Sequence, residues 1–160
     1  VSRGAGGARG ECRSTWRRLL WPPWEAHIME INDITLIVIE ESIEIHKEFG
    51  PGLLESVYEL VLAKRLMDRG LRVKRQVMVP ITYRGEVISE AFRLDLLVED
   101  EVVVELKSIE RSAPVHFKQT KTHLRLMDKR VALLINFGET TLMEGLHRIV
   151  NQYEGPSPGS

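Results

Sequence analysis

RLDLLVEDEVVVELK, residues 93–107, is the stretch that decides how the rest of this chain is read. Residues 92–98 alternate, and so do residues 102–107; period-two alternation among aliphatic and β-branched residues is a strand signal. In a regular strand Leu94, Leu96 and Val98 share one side, opposite Arg93, Asp95 and Leu97. Val102, Val104 and Leu106 likewise lie opposite Val103, Glu105 and Lys107. Glu99-Asp100-Glu101 forms the turn. If that turn takes all three residues, Val98 pairs with Val102 and Asp95 falls opposite Glu105. A two-residue turn would set Asp95 against Val104 and send the two acids to opposite faces, because a one-residue slip flips every side chain.

The three-residue register gathers two carboxylates and a lysine at the end of an apolar sheet. Directly opposed residues have Cβ atoms about 4.5–5.5 Å apart, close enough for two acids to share one cation. Magnesium takes one or two carboxylates, several waters and a substrate phosphate. Such an ion polarises a phosphoryl oxygen and acidifies a bound water. Lys107, two residues after Glu105, shares its side and suits a developing negative charge. A structural salt-bridge cluster explains the same residues, since ion-pair networks imitate active sites.

The 160 residues suffice for one domain with a sizeable core. Charge is uneven. Residues 1–29 hold five Arg and two Glu, a net of +3, which leaves 17 basic and 21 acidic side chains and −4 for the remainder. This excludes the global basic field of a nonspecific DNA coater, so any nucleic-acid contact must be a local patch. The single cysteine, Cys12, excludes an intrachain disulfide framework and a cysteine metal cluster, and a reducing, cytoplasmic setting is expected. No apolar run is long enough to span a membrane.

Residues 1–28 are rich in Gly and Arg, carry Trp16, Trp21 and Trp24 and show no usable period. They are expected to be a disordered tail, with upstream sequence ahead of a start at Met29, or a transit peptide, as the two readings of its origin. The folded domain is expected over 29–152, and EGPSPGS within 153–160 is a flexible end. Ile34, Ile37, Val38 and Ile45 repeat at helical spacing, with Asp33 as N-cap, before a break at Gly50-Pro51-Gly52. A second helix runs from about Leu53 to Arg69 and stops at Gly70. Alternating residues 71–83, a turn at Arg84-Gly85 and a strand to about residue 90 precede the hairpin. A third helix covers about 114–128, opened by Pro114. RVALLINF, 130–137, suits a buried central strand or a shared-sheet dimer, and a last helix is expected over about 140–151.

HKEFGPGLLESVYE (46–59), RLDLLVED, VVVELKS and PVHFKQ together resemble the small prokaryotic GxxExxY proteins of the PD-(D/E)XK nuclease-like superfamily, with Gly52, Glu55 and Tyr58 as the name motif. The resemblance covers residues 30 to about 151. It implies an α/β (α+β) restriction-endonuclease-like core, a central mixed sheet flanked by helices in α-β-β-β-α-β order. It implies a Mg2+- or Mn2+-dependent nuclease acting on DNA or RNA, with Asp95 and Glu105 as metal acids and Lys107 as the motif lysine. Glu55 becomes a further acid at the metal, although a carboxylate in a first helical turn also complements the helix dipole or closes a capping box. Gln119 takes the place of a glutamine that related nucleases set on the helix after the lysine strand. Four residues on, where many relatives have tyrosine, this chain has His123, which is left out of the catalytic set. His46 reads as a helix C-terminal partner and Tyr58 as core or support.

Two basic clusters suit phosphates: His116, Lys118, Lys121, His123, Arg125, Lys129 and Arg130 around the third helix, and Lys64, Arg65, Arg69, Arg72, Lys74 and Arg75. Each is also an ordinary solvated face. The alternatives to a nuclease are an inactive nucleic-acid-binding or protein-interaction module on the same fold, and a small-molecule phosphodiester hydrolase. Substrate strand type, protein partners and oligomeric state are not written in the sequence.

Overall fold

The structure is a computed structural model that describes residues 29–151. The tails expected at 1–28 and 153–160 lie outside the described residues.

Helix α1 spans Ile31–Phe49 and α2 spans Glu55–Asp68. On α1, Ile34, Val38 and Ile45 are buried on one face. Thr35 and Ser42 are buried there too, because their hydroxyls donate to the carbonyls of Asn32 and Val38 at 2.9 and 2.7 Å. The helix begins earlier than the sequence suggests. Glu30 is the N-cap, and Asp33 sits in the first turn, where its charge favours the positive end of the helix. Helix α2 starts at Glu55 rather than Leu53 and closes on a Schellman motif. Leu71 N–H reaches Leu66 O, Gly70 N–H reaches Met67 O, and Gly70 takes φ +85.

Five strands follow: β1 Val73–Tyr83, β2 Glu86–Val98, β3 Val102–Lys107, β4 Val131–Asn136 and β5 Leu146–Val150. Helix α3, Pro114–Leu126, links β3 to β4, and the single turn α4, Leu142–Gly145, precedes β5. The sheet order is β1-β2-β3-β4-β5, with β3 and β4 parallel and the other neighbours antiparallel. On one face α1 and α2 bury Ile34, Val38, Tyr58, Leu62 and Leu66 against Leu96, Val104, Leu106, Leu133 and Ile135. On the other, Leu124 of α3 packs with Leu94, Leu97, Val103 and Ala132. Among the described residues no helix is long and apolar enough to cross a membrane.

Two expectations change, and one alternative is decided. The turn at Arg84-Gly85 forms, with φ of 51 and 83, but the strand after it runs unbroken to Val98, so two expected strands are one. The helix expected over 140–151 is replaced by α4 and β5. Every residue of β4 is buried, and its outer edge needs backbone partners, which β5 supplies from Leu146 to Val150. Leu146 and Ile149 then point into opposite cores. Finally, β4 lies inside the sheet, between β3 and β5, which matches the central-strand reading of residues 130–137.

The loops beyond β3 and β4 are locked together. Asn136 Nδ2 donates to Ile109 O at 2.9 Å, and its Oδ1 accepts Ile109 N–H at 3.0 Å and Gly138 N–H at 3.1 Å. A Cβ on Gly138 would lie 2.2 Å from the backbone oxygen of Ile109. Gly138→Ala is therefore expected to destabilise the protein by about 2–3 kcal/mol, since backbone must move to admit the methyl. Urea unfolding checks this, and an unchanged midpoint would mean that the two loops do not pack this closely.

Candidate active site

Asp95 sits where the side chains of β2 exchange faces. Pairing of β1 with β2 skips it: Arg75 pairs with Leu96 and Val77 with Leu94, while Gln76, between them, adopts φ +50. Leu94 and Leu97 consequently lie in the same core under α3, whereas Leu96 and Val98 face α1 and α2. A regular strand cannot put residues three apart on one side. The expectation that Leu94 shares the side of Leu96 is thus corrected, and the cause is a face reversal at Asp95. Strand β1 reverses with it, because Val73 packs in the first core and Val77 and Val79 in the second.

Glu59 holds this kink. Its carboxylate is buried and accepts from Arg75 Nε at 2.9 Å and from the side-chain amide of Gln76. Glu59 lies one helical turn after Glu55, so α2 braces the kink and carries a candidate acid on the same stretch.

The hairpin has the register of the three-residue turn: Val98 pairs with Val102, Leu97 with Val103 and Leu96 with Val104. Glu99 and Asp100 make the turn with φ of 53 and 56. The ladder ends one residue short of an Asp95–Glu105 pair. In its place Asp95 Oδ2 accepts the Leu106 N–H at 2.8 Å.

The side chains expected from the sequence converge in part. Burial pushes the Asp95 carboxyl up to about 6; the Leu106 N–H opposes this, Glu105 adds to it, Lys107 opposes it and Glu55 adds again. Asp95 therefore lies within electrostatic reach of Glu105, Lys107 and Glu55. Lys107 Nζ is 3.6 Å from Glu55 Oε1 and donates to Leu106 O at 2.6 Å. Its ion pair is with Glu55, not with either strand acid. Gln119 is exposed on α3 and is not drawn into this group by any side-chain hydrogen bond among the described residues.

His123, which sequence reasoning set aside, does join it. His123 Nδ1 lies 2.9 Å from Oε1 of the buried Glu105, and its ring stacks on Phe92 with centroids 4.2 Å apart and planes 7° from parallel. The available signal was its place one helical turn after Gln119. His46 is structural: Nε2 meets the carbonyl of Glu139 at 3.1 Å.

The Gly52, Glu55, Tyr58 spacing has a physical content. Gly52 takes φ +116, which L side chains rarely adopt. Tyr58 is buried, stacks on Phe137 with centroids 4.2 Å apart, donates to Gly50 O at 2.5 Å and accepts Leu53 N–H at 3.3 Å. Ser108, next to Lys107, donates to Leu53 O at 2.6 Å. The loop is pinned at both ends, and Glu55, the first residue of α2, is set beside Lys107. Glu55 closes no capping box, since Leu54 at the N-cap has no side-chain donor or acceptor.

The buried acids Glu41, Glu59 and Glu105 and the half-buried Asp95 fall into two kinds. Burial alone would raise Glu41, but the Arg65 and Arg69 guanidiniums outweigh it and hold its carboxyl below the usual range. Glu59 has Arg75. Asp95 and Glu105 have no Arg or Lys ion pair among the described residues. Their oxygens are hard donors suited to Mg2+ or Mn2+. Among the described residues, however, no group of three or more His, Cys, Asp or Glu side chains is gathered to hold a metal ion. A site here would rest on two protein carboxylates, as magnesium sites completed by substrate phosphate do.

The two basic clusters also separate. All six cations of the α2–β1 group are paired: Lys64 with Asp68, Arg65 and Arg69 with Glu41, Arg72 with Glu99, Lys74 with Asp100, and Arg75 with Glu59. The charge of that cluster is met by acids of the same surface. Lys118, Lys121 and Arg125 make no ion pair among the described residues.

An unfolded Asp95 ionises near 3.8 and the folded one near 6, so the unfolded chain releases this proton first. Stability is therefore lost as pH rises from about 4 to 6, and the deficit stays above that, up to about 3 kcal/mol. Asp95→Asn keeps an acceptor for Leu106 N–H and removes the charge. Thermal melts of metal-free protein should show the variant more stable than the parent at pH 7.5 and level with it near pH 4. A variant less stable at pH 7.5 would mean that the Asp95 charge is compensated.

A family model described as the PD-(D/E)XK nuclease superfamily matches residues 32–149, nearly the whole of the described fold. No curated protein and no solved structure matches the chain. The mixed five-stranded sheet with helices on both faces is the restriction-endonuclease-like α/β fold expected from the sequence. On the match over most of its length, this chain belongs to the PD-(D/E)XK nuclease superfamily.

Proposed function

We propose that the protein hydrolyses phosphodiester bonds of DNA or RNA with the help of Mg2+ or Mn2+, as a cytoplasmic member of the GxxExxY group. The observation that carries this reading is the meeting of Asp95 and Glu105, neither ion-paired with an Arg or Lys among the described residues, with Lys107 and Glu55 at the point where the β2–β3 ladder opens. A structural network would neutralise its acids, as Glu41 and Glu59 are neutralised.

Asp95 and Glu105 are the residues that would hold the cation, with Glu55 as an additional acid. When bound, such an ion lowers the pKa of a water and withdraws charge from the phosphoryl group. The chain's own groups divide the remaining work. Leu106 N–H fixes one oxygen of Asp95, and His123 fixes one oxygen of Glu105. Lys107, held by Leu106 O and Glu55, presents a cation to the phosphate and orients the attacking water. Gln119, exposed one turn before His123, contacts the bound strand or its water. Residues 29–152 are the working unit in this proposal, and the flanking tails are dispensable.

Cleavage of single-stranded DNA, duplex DNA and RNA by the full chain in Mn2+ tests it. Asp95→Ala, Glu105→Ala and Lys107→Ala should each lower the rate on the order of 10²–10³-fold or more while circular dichroism shows the parent fold. Calorimetric Mn2+ binding should vanish in the Asp95→Ala/Glu105→Ala protein. Wild-type cleavage by either acid variant would place the site elsewhere.

A second reading is a nucleic-acid-binding or protein-interaction module without hydrolysis. It is favoured by the lack of a third donor gathered around the acid pair among the described residues. It predicts salt-sensitive nucleic-acid binding with no turnover in any divalent cation.

A further inference from the structure

Two open clefts meet at the first turn of α3. One, of about 480 Å3, is lined by Arg111, Phe117, Glu139, Glu144 and His147. The other, of about 500 Å3, is lined by Pro114, Phe117, Lys118 and Lys121. Ser112 and Phe117 belong to both, and Ser112 Oγ is buried with no hydrogen-bond partner among the described residues. Phe117 meets His147 edge-on at 4.7 Å.

The clefts differ in charge. The second holds two exposed lysines and no acid, and neither lysine makes an ion pair among the described residues. Its lining is mostly apolar, and the two ammoniums are its groups for phosphate. The first holds two carboxylates beside Arg111, so it disfavours phosphate and suits a neutral ring that presents N–H groups. Glu139 Oε1 already accepts Ser112 N–H at 3.2 Å, and Glu144 Oε2 accepts Thr141 N–H at 3.1 Å; each carboxylate has a second oxygen to offer. A phosphate cleft and a base cleft that share one aromatic side chain cannot both be filled by a duplex, whose bases are stacked inside. They can be filled by a strand whose base is turned out, and base–aromatic stacking beside a basic track is how unpaired strands are held. The groove begins four residues after Lys107, and α3 carries His123 to Glu105 further along.

We propose that this groove binds a single-stranded segment of nucleic acid, with one base stacked on Phe117 beside His147 and the flanking phosphates on Lys118 and Lys121. This rests on the proposed function, and it names the strand type that the site receives.

The test is fluorescence anisotropy with the full chain in EDTA, using a labelled 15-nucleotide DNA, the RNA of the same sequence, and the DNA duplex. The single strands should bind at least tenfold more tightly than the duplex. Lys118→Ala/Lys121→Ala should weaken strand binding at least tenfold and reduce the slope of log K against log salt by about 1.4, the release expected for two phosphates on a single strand. Phe117→Leu should cost roughly 5- to 150-fold, and Phe117→Tyr should bind as the parent does, which separates stacking from folding. Duplex bound as tightly as single strand, or a lysine variant with parental affinity and salt slope, overturns the proposal. Without divalent cation the assay does not read hydrolysis. Tight strand binding with no cleavage in Mg2+ or Mn2+ would refute the hydrolase reading and leave the groove standing. Metal-dependent cleavage with duplex preferred would do the reverse.

Discussion

The carboxylate of Glu59 is the constraint on which the site depends. Buried on α2, it must be satisfied, and Arg75 and Gln76 of β1 satisfy it. That demand draws Gln76 out of the β1–β2 ladder and into a left-handed conformation costly for a residue with a side chain. Strand β2 follows the kink, and Asp95 emerges at its apex. Removing Glu59 would therefore act on Asp95 without touching it, through the face that β2 presents. The same helix begins at Glu55, so one rigid element fixes an acid on each side of the opening.

Charge is used differently in the two halves of the molecule. Around α1, α2 and β1, acids and bases neutralise one another, and Arg65 and Arg69 on Glu41 show that burial of a carboxylate is tolerable when cations meet it. Around β2 and β3 the cations are withheld. Lys107 turns to Glu55 and to its neighbour's carbonyl, and Glu105 has a histidine. Burial raises the proton affinity of Asp95, and the Leu106 N–H, its one hydrogen-bond donor among the described residues, offsets only part of that rise. A net charge of −1 over the chain conceals this contrast, because composition counts charges and not their partners.

Much of this was legible in the sequence, and the exceptions share a cause. Alternation in 93–107 gives the hairpin and its turn, and Gly52, Glu55 and Tyr58 give the loop that aims Glu55. Leu94 is misplaced by alternation because the kink is imposed by Glu59, seventeen residues before Gln76 in the chain and invisible to any local period. The last helix fails similarly. Residues 146–150 take the strand state because β4 needs a second partner, a tertiary demand that overrides local preference. His123 was missed because its meaning lies in Glu105 and Phe92, on two other strands. Gln119 is the converse case: the resemblance gives it a role towards a ligand, and within the fold its side chain is exposed.

The early end of the β2–β3 ladder has a further consequence. Had pairing continued past Leu96 and Val104, Leu106 N–H would have bonded to a β2 carbonyl, and Asp95 would have had no donor. The kink thus does two things at once: it turns the Asp95 side chain out of a regular strand and frees the backbone group that receives it. With one Asp95 oxygen fixed by Leu106 and one Glu105 oxygen fixed by His123, each carboxylate loses rotational freedom before any ligand arrives. Preorganised acids then need little rearrangement as charge develops nearby, which is the condition under which electrostatic stabilisation is most effective. The cost of assembling them is carried by a fold whose other buried acids are neutralised, and by a core that runs through both faces of the sheet.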